Sequence, residues 1–313
     1  MMSIAKKNIE IINICKSQDG LGESPIWCEE EQSLYWSNHV LANLNDRNVT
    51  THEKPSIKRF NTMTNTLSTW DMPEQVGSFG FREQGGLIAG VNSGFCTIDL
   101  ENGVVDLIVD PEKELINNRF NDGKVDRRGR FWCGSMDTTV STESAHIYLL
   151  DQNLTSHMVA PNYSFVVSNG IAFSPDDQNM YFADTFRKMI YVFNFDLEEG
   201  RIFNQREFFS TSEFPGFPDG ATVDSDGYYW IALTQGGKIL RISATGKLDR
   251  VIDMPIPTPT CVTFGGDNYE TLYVTSQKAF LSQEVLQKYP ETGDVFAING
   301  LGVKGMPEPK FLG

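Results

Sequence analysis

The chain has 313 residues, enough for two average domains or for one closed all-β fold. Its 40% hydrophobic content, with 21 Phe, can fill a sizeable core and excludes a disordered chain. The net charge of -15, from 26 basic and 41 acidic residues, disfavours nucleic acid and anionic membrane as partners, because both need basic patches. An acidic surface ordinarily serves solubility, and it also suits a divalent cation.

The segment Met1–Lys16 carries lysines but no apolar core of signal-peptide length. No uncharged apolar stretch is long enough to span a bilayer. The five cysteines (Cys15, Cys28, Cys96, Cys133, Cys261) are odd in number, widely spaced and without a CxxC pair. A cytoplasmic, reducing location follows as the simplest expectation, and the sequons at Asn48, Asn153 and Asn162 then have no consequence.

In chain order, a polar cluster recurs before a segment that reads as a strand. Glu23-Ser24-Pro25 leads to Leu34-Tyr35-Trp36, and the weaker Gly77-Ser78-Phe79 to Gly85–Ala89. Arg119-Phe120-Asn121-Asp122-Gly123 leads to Phe131-Trp132, and Ser168-Asn169-Gly170 to Met180-Tyr181-Phe182. Pro218-Asp219-Gly220 leads to Tyr229-Trp230-Ile231, and Pro259-Thr260-Cys261 to Thr271–Val274. The steps from 121 to 169 and from 169 to 219 are 48 and 50 residues, the period of a propeller blade.

Turns at Asp126–Gly129, Pro175–Asp177 and Asp224–Gly227 separate the strands, and alternation marks Ile190–Phe195 and Lys238–Ser243. Helical periodicity is confined to Ser282–Lys288, a short turn. No linker composition marks a boundary. These features predict an all-β chain: a single six-bladed β-propeller domain of four-stranded blades over 1–313. The N-terminal strand is expected to pair near Val295–Ile298, which closes the ring. The polar stretch between His39 and Lys58 reads as a tolerated insertion or a lid.

In a propeller, equivalent positions of successive blades meet around one channel. Glu23, Asn169 and Asp219 would then offer two carboxylates and an amide oxygen. All-oxygen ligation suits one divalent cation, Ca²⁺, Mg²⁺ or Mn²⁺, with Zn²⁺ still open. Such a site can polarise a carbonyl, and a neighbouring carboxylate can take the proton of an attacking water. Arg119 and Asn121 could hydrogen-bond a polar substrate. Asn-Gly and Asp-Gly also occur as plain turn dipeptides, but their recurrence in register favours a site.

Other chemistries lack their parts. There is no GxSxG elbow, and His39, His52, His146 and His157 show no metal-ligand spacing. They read as surface or loop residues, with His39 close enough to the first repeat to have some chance of lining the pocket. Gly300–Gly305 matches GxGxxG, but Pro307 and Pro309 follow where a dinucleotide site needs a helix.

Taken in order, Leu21–Trp27, Arg119–Arg130, Gly134–Met136, Ser168–Asp176, Phe217–Gly220, Phe264–Gly266 and Gly300–Gly305 resemble the SMP-30/gluconolactonase/luciferin-regenerating-enzyme-like (regucalcin-like) family. The resemblance covers nearly the whole chain. It implies a six-bladed propeller with one channel metal, Ca²⁺ foremost, and hydrolysis of sugar lactones to sugar acids. By motif, Glu23, Asn169 and Asp219 ligate the metal, and Asp219 is also the catalytic base. Arg119, Asn121, Asp122 and Asp137 belong to the substrate side. The implied partner is a small sugar lactone, and the chain is expected to be a monomer or weak dimer. Two departures stand out: Ser37-Asn38 where relatives usually read Val-Asp, and Asp137-Thr138-Thr139-Val140 where some carry a sugar-holding Glu. A non-catalytic calcium-binding propeller and an organophosphate or other ester hydrolase are the alternatives.

Overall fold

Runs of β-branched and aromatic residues between Asp- and Gly-bearing turns form strands of three to ten residues. The computed structural model describes residues 9–40 and 54–313. These residues build six four-stranded antiparallel sheets, each consecutive in sequence except the last. That is the six-bladed propeller the repeat predicts. The innermost strands are Leu21–Cys28, Val76–Phe81, Asn118–Val125, Ser168–Phe173, Phe217–Val223 and Pro259–Gly265, for blades 1 to 6. Each packs on the next, and the sixth returns to the first.

The ring closes as expected. Glu10–Cys15 adds the outer strand to blade 6, with Ile12 opposite Ala297. Six buried apolar clusters fill the six gaps between neighbouring blades. The aromatics of the second strands, Trp36, Trp132, Phe182 and Trp230, lie wholly inside them. Asp126 and Asp224 do more than cap their turns. Besides accepting backbone amides, each accepts the indole N–H of Trp132 or Trp230 at 2.8 and 2.9 Å. Each also pairs with an arginine, Arg130 or Arg241, at 2.7 Å. These turns therefore bolt a buried Trp to a charged clasp.

Gln283–Lys288 forms a single short helix, capped by Ser282. After the last strand, Val295–Asn299, the chain runs without helix through Gly300–Gly305. It then crosses the carboxyl ends of the inner strands, where Phe311 N–H donates to Phe81 O and Lys124 pairs with Glu308 at 2.8 Å. The polar clusters sit at the opposite, amino ends. The stretch 41–53, which includes Asn48 and His52, lies outside the described residues.

Candidate active site

The polar clusters lie inside the inner strands, each at a β-bulge. The register slips between Glu23 and Ile26, Phe120 and Gly123, Asn169 and Ala172, and Pro218 and Ala221. A bulge re-aims the side chain beside it, and here the same device repeats in the inner strands of all six blades. Glycine at the bulge is dictated by crowding rather than by a turn. Gly170 has φ of +61°, and a Cβ there would strike the Tyr229 hydroxyl of the next blade. A Cβ on Gly220 would strike Cys261.

A hydrogen-bonded chain crosses three blades at this end of the channel. Arg119 Nη1 donates to Asn121 Oδ1 at 2.9 Å and to Phe120 O at 2.7 Å. Asn121 Nδ2 donates to Asn169 Oδ1 and to Ser168 O, both at 2.9 Å. Asn169 Nδ2 donates to Thr185 Oγ1 at 2.8 Å, and Thr185 donates onward to Pro218 O at 3.0 Å. The direction is forced, because a carbonyl only accepts. With its proton spent on Pro218, Thr185 must receive from Asn169, and the Asn169 amide oxygen is therefore turned the other way. Thr185 escaped the sequence reading; it follows the strand Asn179–Asp184 and carries no motif.

Glu23 lies within electrostatic reach of Arg119 and of Asp219. Burial, then the charges of Asp219 and Asp122, push the Glu23 carboxyl well above the ordinary carboxylate range. Burial and the Asp122 charge do the same to Asp219. Asp122 is pushed up to about 6 by burial, against the Ile171 N–H and the Lys124 charge, which pull it down. Three carboxylates thus share one channel. The nearby cation, Arg119, is itself drawn down to about 10 by burial, with Glu23 opposing that shift.

Asp122 is part of the wall: its carboxylate accepts from Ile171 N–H at 3.0 Å and Gly123 N–H at 2.9 Å, tying blade 3 to blade 4. Asp137 bonds within its own loop rather than to this chain of side chains. Its carboxylate accepts from Thr139, Ser141 and Thr142, through both their amides and their hydroxyls, and so orders the loop that follows. Among the histidines, His157 is exposed and His146 partly so, while His39 is 1% exposed, which corrects its reading as a surface or loop residue.

Among the described residues no three of His, Cys, Asp and Glu group so as to hold a metal ion. A cation here would draw on the Asn169 amide oxygen together with Glu23 and Asp219. The donor chemistry fits: two mutually repelling carboxylates and a pre-oriented amide oxygen are a hard, anionic set.

Fold and site together define a channel-centred β-propeller whose polar residues come from equivalent bulges of successive blades. The chain belongs to the family described as SMP-30/Gluconolactonase/LRE-like region, which matches residues 21–278. It is 36% identical over 296 residues to the 6-deoxy-6-sulfogluconolactonase of Pseudomonas putida, covering 94% of this chain and 95% of that one. It is 33% identical over 298 residues to the regucalcin of Oryctolagus cuniculus, covering 93% and 95%. Among solved structures, a luciferin-regenerating enzyme superposes with a TM-score of 0.84 at 28% identity, covering 97% of this chain and all of that one.

Proposed function

We propose that the protein is a metal-dependent lactonase that opens a sugar lactone to the sugar acid. The observation that carries this reading is the oriented Arg119–Asn121–Asn169 chain, with Glu23 within electrostatic reach of both Arg119 and Asp219. A site for metal alone has no use for Arg119. Its guanidinium has five N–H groups, and its hydrogen bonds among the described residues come from Nη1. The Nε and Nη2 hydrogens are left for substrate oxygen. Asn121 has both amide hydrogens engaged, so it meets substrate through the remaining lone pair of Oδ1.

Glu23, Asn169 and Asp219 would hold the divalent cation, Ca²⁺ foremost, which when bound supplies a Lewis acid to the lactone carbonyl and acidifies a water. Asp219 takes the proton of the attacking water, whose oxygen bonds to the carbonyl carbon. The ring C–O bond then breaks, and the proton passes to the departing ring oxygen. In the metal-free site, burial and the Asp122 charge raise the proton affinity of Asp219. Asp122 acts through that charge from the wall, and Asp137 by ordering the loop after Met136. The same reading takes the propeller as one functional unit with a small-molecule partner. It sets the protein in a reducing compartment, where its five free, buried thiols are at home.

The test is a pH-indicator assay over a panel of aldonolactones with Ca²⁺, Mn²⁺, Mg²⁺ and Zn²⁺. Acid release above the spontaneous rate, abolished by chelator, supports the reading. No release from any lactone with any metal leaves the non-catalytic calcium-binding propeller as the better account.

A further inference from the structure

His39 ends the strand Ser33–His39 in blade 1, opposite Leu21 and two residues from Ser37, the partner of Glu23. Its Nε2 lies 2.6 Å from Val76 O, at the head of the inner strand of blade 2. A carbonyl oxygen only accepts, so Nε2 carries the proton and Nδ1 keeps its lone pair. That Nδ1 is buried and has no hydrogen-bond partner. An unmet buried acceptor is costly and calls for a reason.

The surroundings place the ring at the wall of the site. Ser37 Oγ lies 3.4 Å from His39 Nε2 and donates to Glu23 O at 3.2 Å. Arg119 is near enough that its charge, after burial, helps hold the imidazole neutral. Packing between blades 1 and 2 is met by Nε2 alone. Arg119 offers only donors to a ligand, so a polyhydroxylated substrate also needs acceptors for its own O–H groups.

We propose that His39 Nδ1 accepts a hydrogen bond from a hydroxyl of the bound substrate, so that His39 selects polyhydroxylated lactones over bare ones. The inference rests on the lactonase reading and adds to it a determinant of substrate class.

Two substitutions separate this role from a purely structural one. His39→Gln can keep a donor for Val76 O but loses the acceptor at the Nδ1 position, whereas His39→Asn keeps an acceptor there and loses the donor. Near-ultraviolet circular dichroism checks that both fold. For D-glucono-1,5-lactone, His39→Gln is expected to lower kcat/KM about tenfold through KM, the scale of one hydrogen bond, with His39→Asn closer to wild type. For δ-valerolactone, which has no hydroxyl, His39→Gln should match wild type. Calorimetric binding of D-gluconate should weaken in parallel with the first substrate. Equal losses on both lactones, or rescue by Gln instead of Asn, would make His39 a clasp between blades and overturn the proposal. If wild type opens no lactone, the lactonase reading falls and D-gluconate calorimetry still decides. Weaker binding by His39→Gln than by wild type then upholds the His39 contact. Equal affinity, or no binding by wild type, overturns it.

Discussion

Asn121 of blade 3 donates to the amide oxygen of Asn169 in blade 4 across 2.9 Å, although 48 residues separate them in the chain. In the proposed lactonase this bond joins the substrate side of the site to its metal side. Arg119 holds one end through Asn121, and Thr185 holds the other through Asn169. Which end of that chain a residue serves decides how its substitution should fail.

Asp219→Asn keeps size and removes both a charge and the proton acceptor. Turnover should fall by at least about 10²-fold, the lower end of a general base's contribution. Because the folded carboxyl is raised, it favours folding only when protonated, and stability drops as pH rises from its unfolded value through its folded one. Metal-free Asp219→Asn should therefore melt higher than metal-free wild type at neutral pH, while gaining less from added metal. Scanning calorimetry with and without Ca²⁺ reads both, and near-wild-type turnover in the folded variant would refute the role.

Glu23→Gln and Arg119→Ala should fail differently. The first removes a ligand charge, so its activity should recover in part at high metal concentration. The second should leave metal affinity little changed and cost roughly ten- to hundredfold in lactone affinity or turnover, the scale of a hydrogen bond to a charged group. Calorimetric metal titration of both variants checks this. Equal weakening of metal binding would show that the pocket does not divide in this way.

Thr185→Val preserves shape but cannot accept from Asn169 or donate to Pro218 O. With the Asn169 amide free to turn, metal affinity should fall about tenfold or more, as it does when a group supporting a ligand is lost. Thr185→Ser should restore it. Unchanged affinity in Thr185→Val would mean that the bulge alone orients Asn169.

Asp137 offers a pH test of the loop. Burial alone would raise its carboxyl, but the hydrogen bonds from Thr139, Thr142 and Ser141 outweigh burial and hold it below the usual range. A depressed carboxyl stabilises the fold above its unfolded pKa, and that contribution is lost as pH falls through its folded value. Asp137→Asn should cost about 1.5–3 kcal/mol at neutral pH, one charged hydrogen bond, and progressively less on acidification. Urea unfolding across a pH series measures it. A constant difference at all pH values would remove the charge from the explanation.

Much of the architecture was legible in the chain because blades repeat. Asp and Gly turns recur where hairpins must reverse, and Trp36, Trp132, Phe182 and Trp230 mark the second strands because each gap between blades needs a large apolar filler. Pairing of the N-terminal strand near Ala297 was expected for the same reason, since an open edge would be left without it. The bulges were not legible: the slip of register beside Asn169 leaves no mark beyond a glycine, and Asn-Gly reads equally well as a turn.

What the sequence determined by itself was the number of blades and the set of oxygen-bearing residues at their inner ends. Both are written locally, in a repeat of about 50 residues. What only the tertiary structure decided was the direction of each polar group. Thr185 became the orienter of Asn169 because Pro218 O, from the next blade, takes its proton. His39 became a buried neutral acceptor because Val76 O, 37 residues away, takes the proton of Nε2. Asp137 came to serve its own loop because the amides of Thr139, Ser141 and Thr142 meet its carboxylate. A hydrogen bond takes its direction from the partner it meets, and around a propeller channel that partner often belongs to another blade.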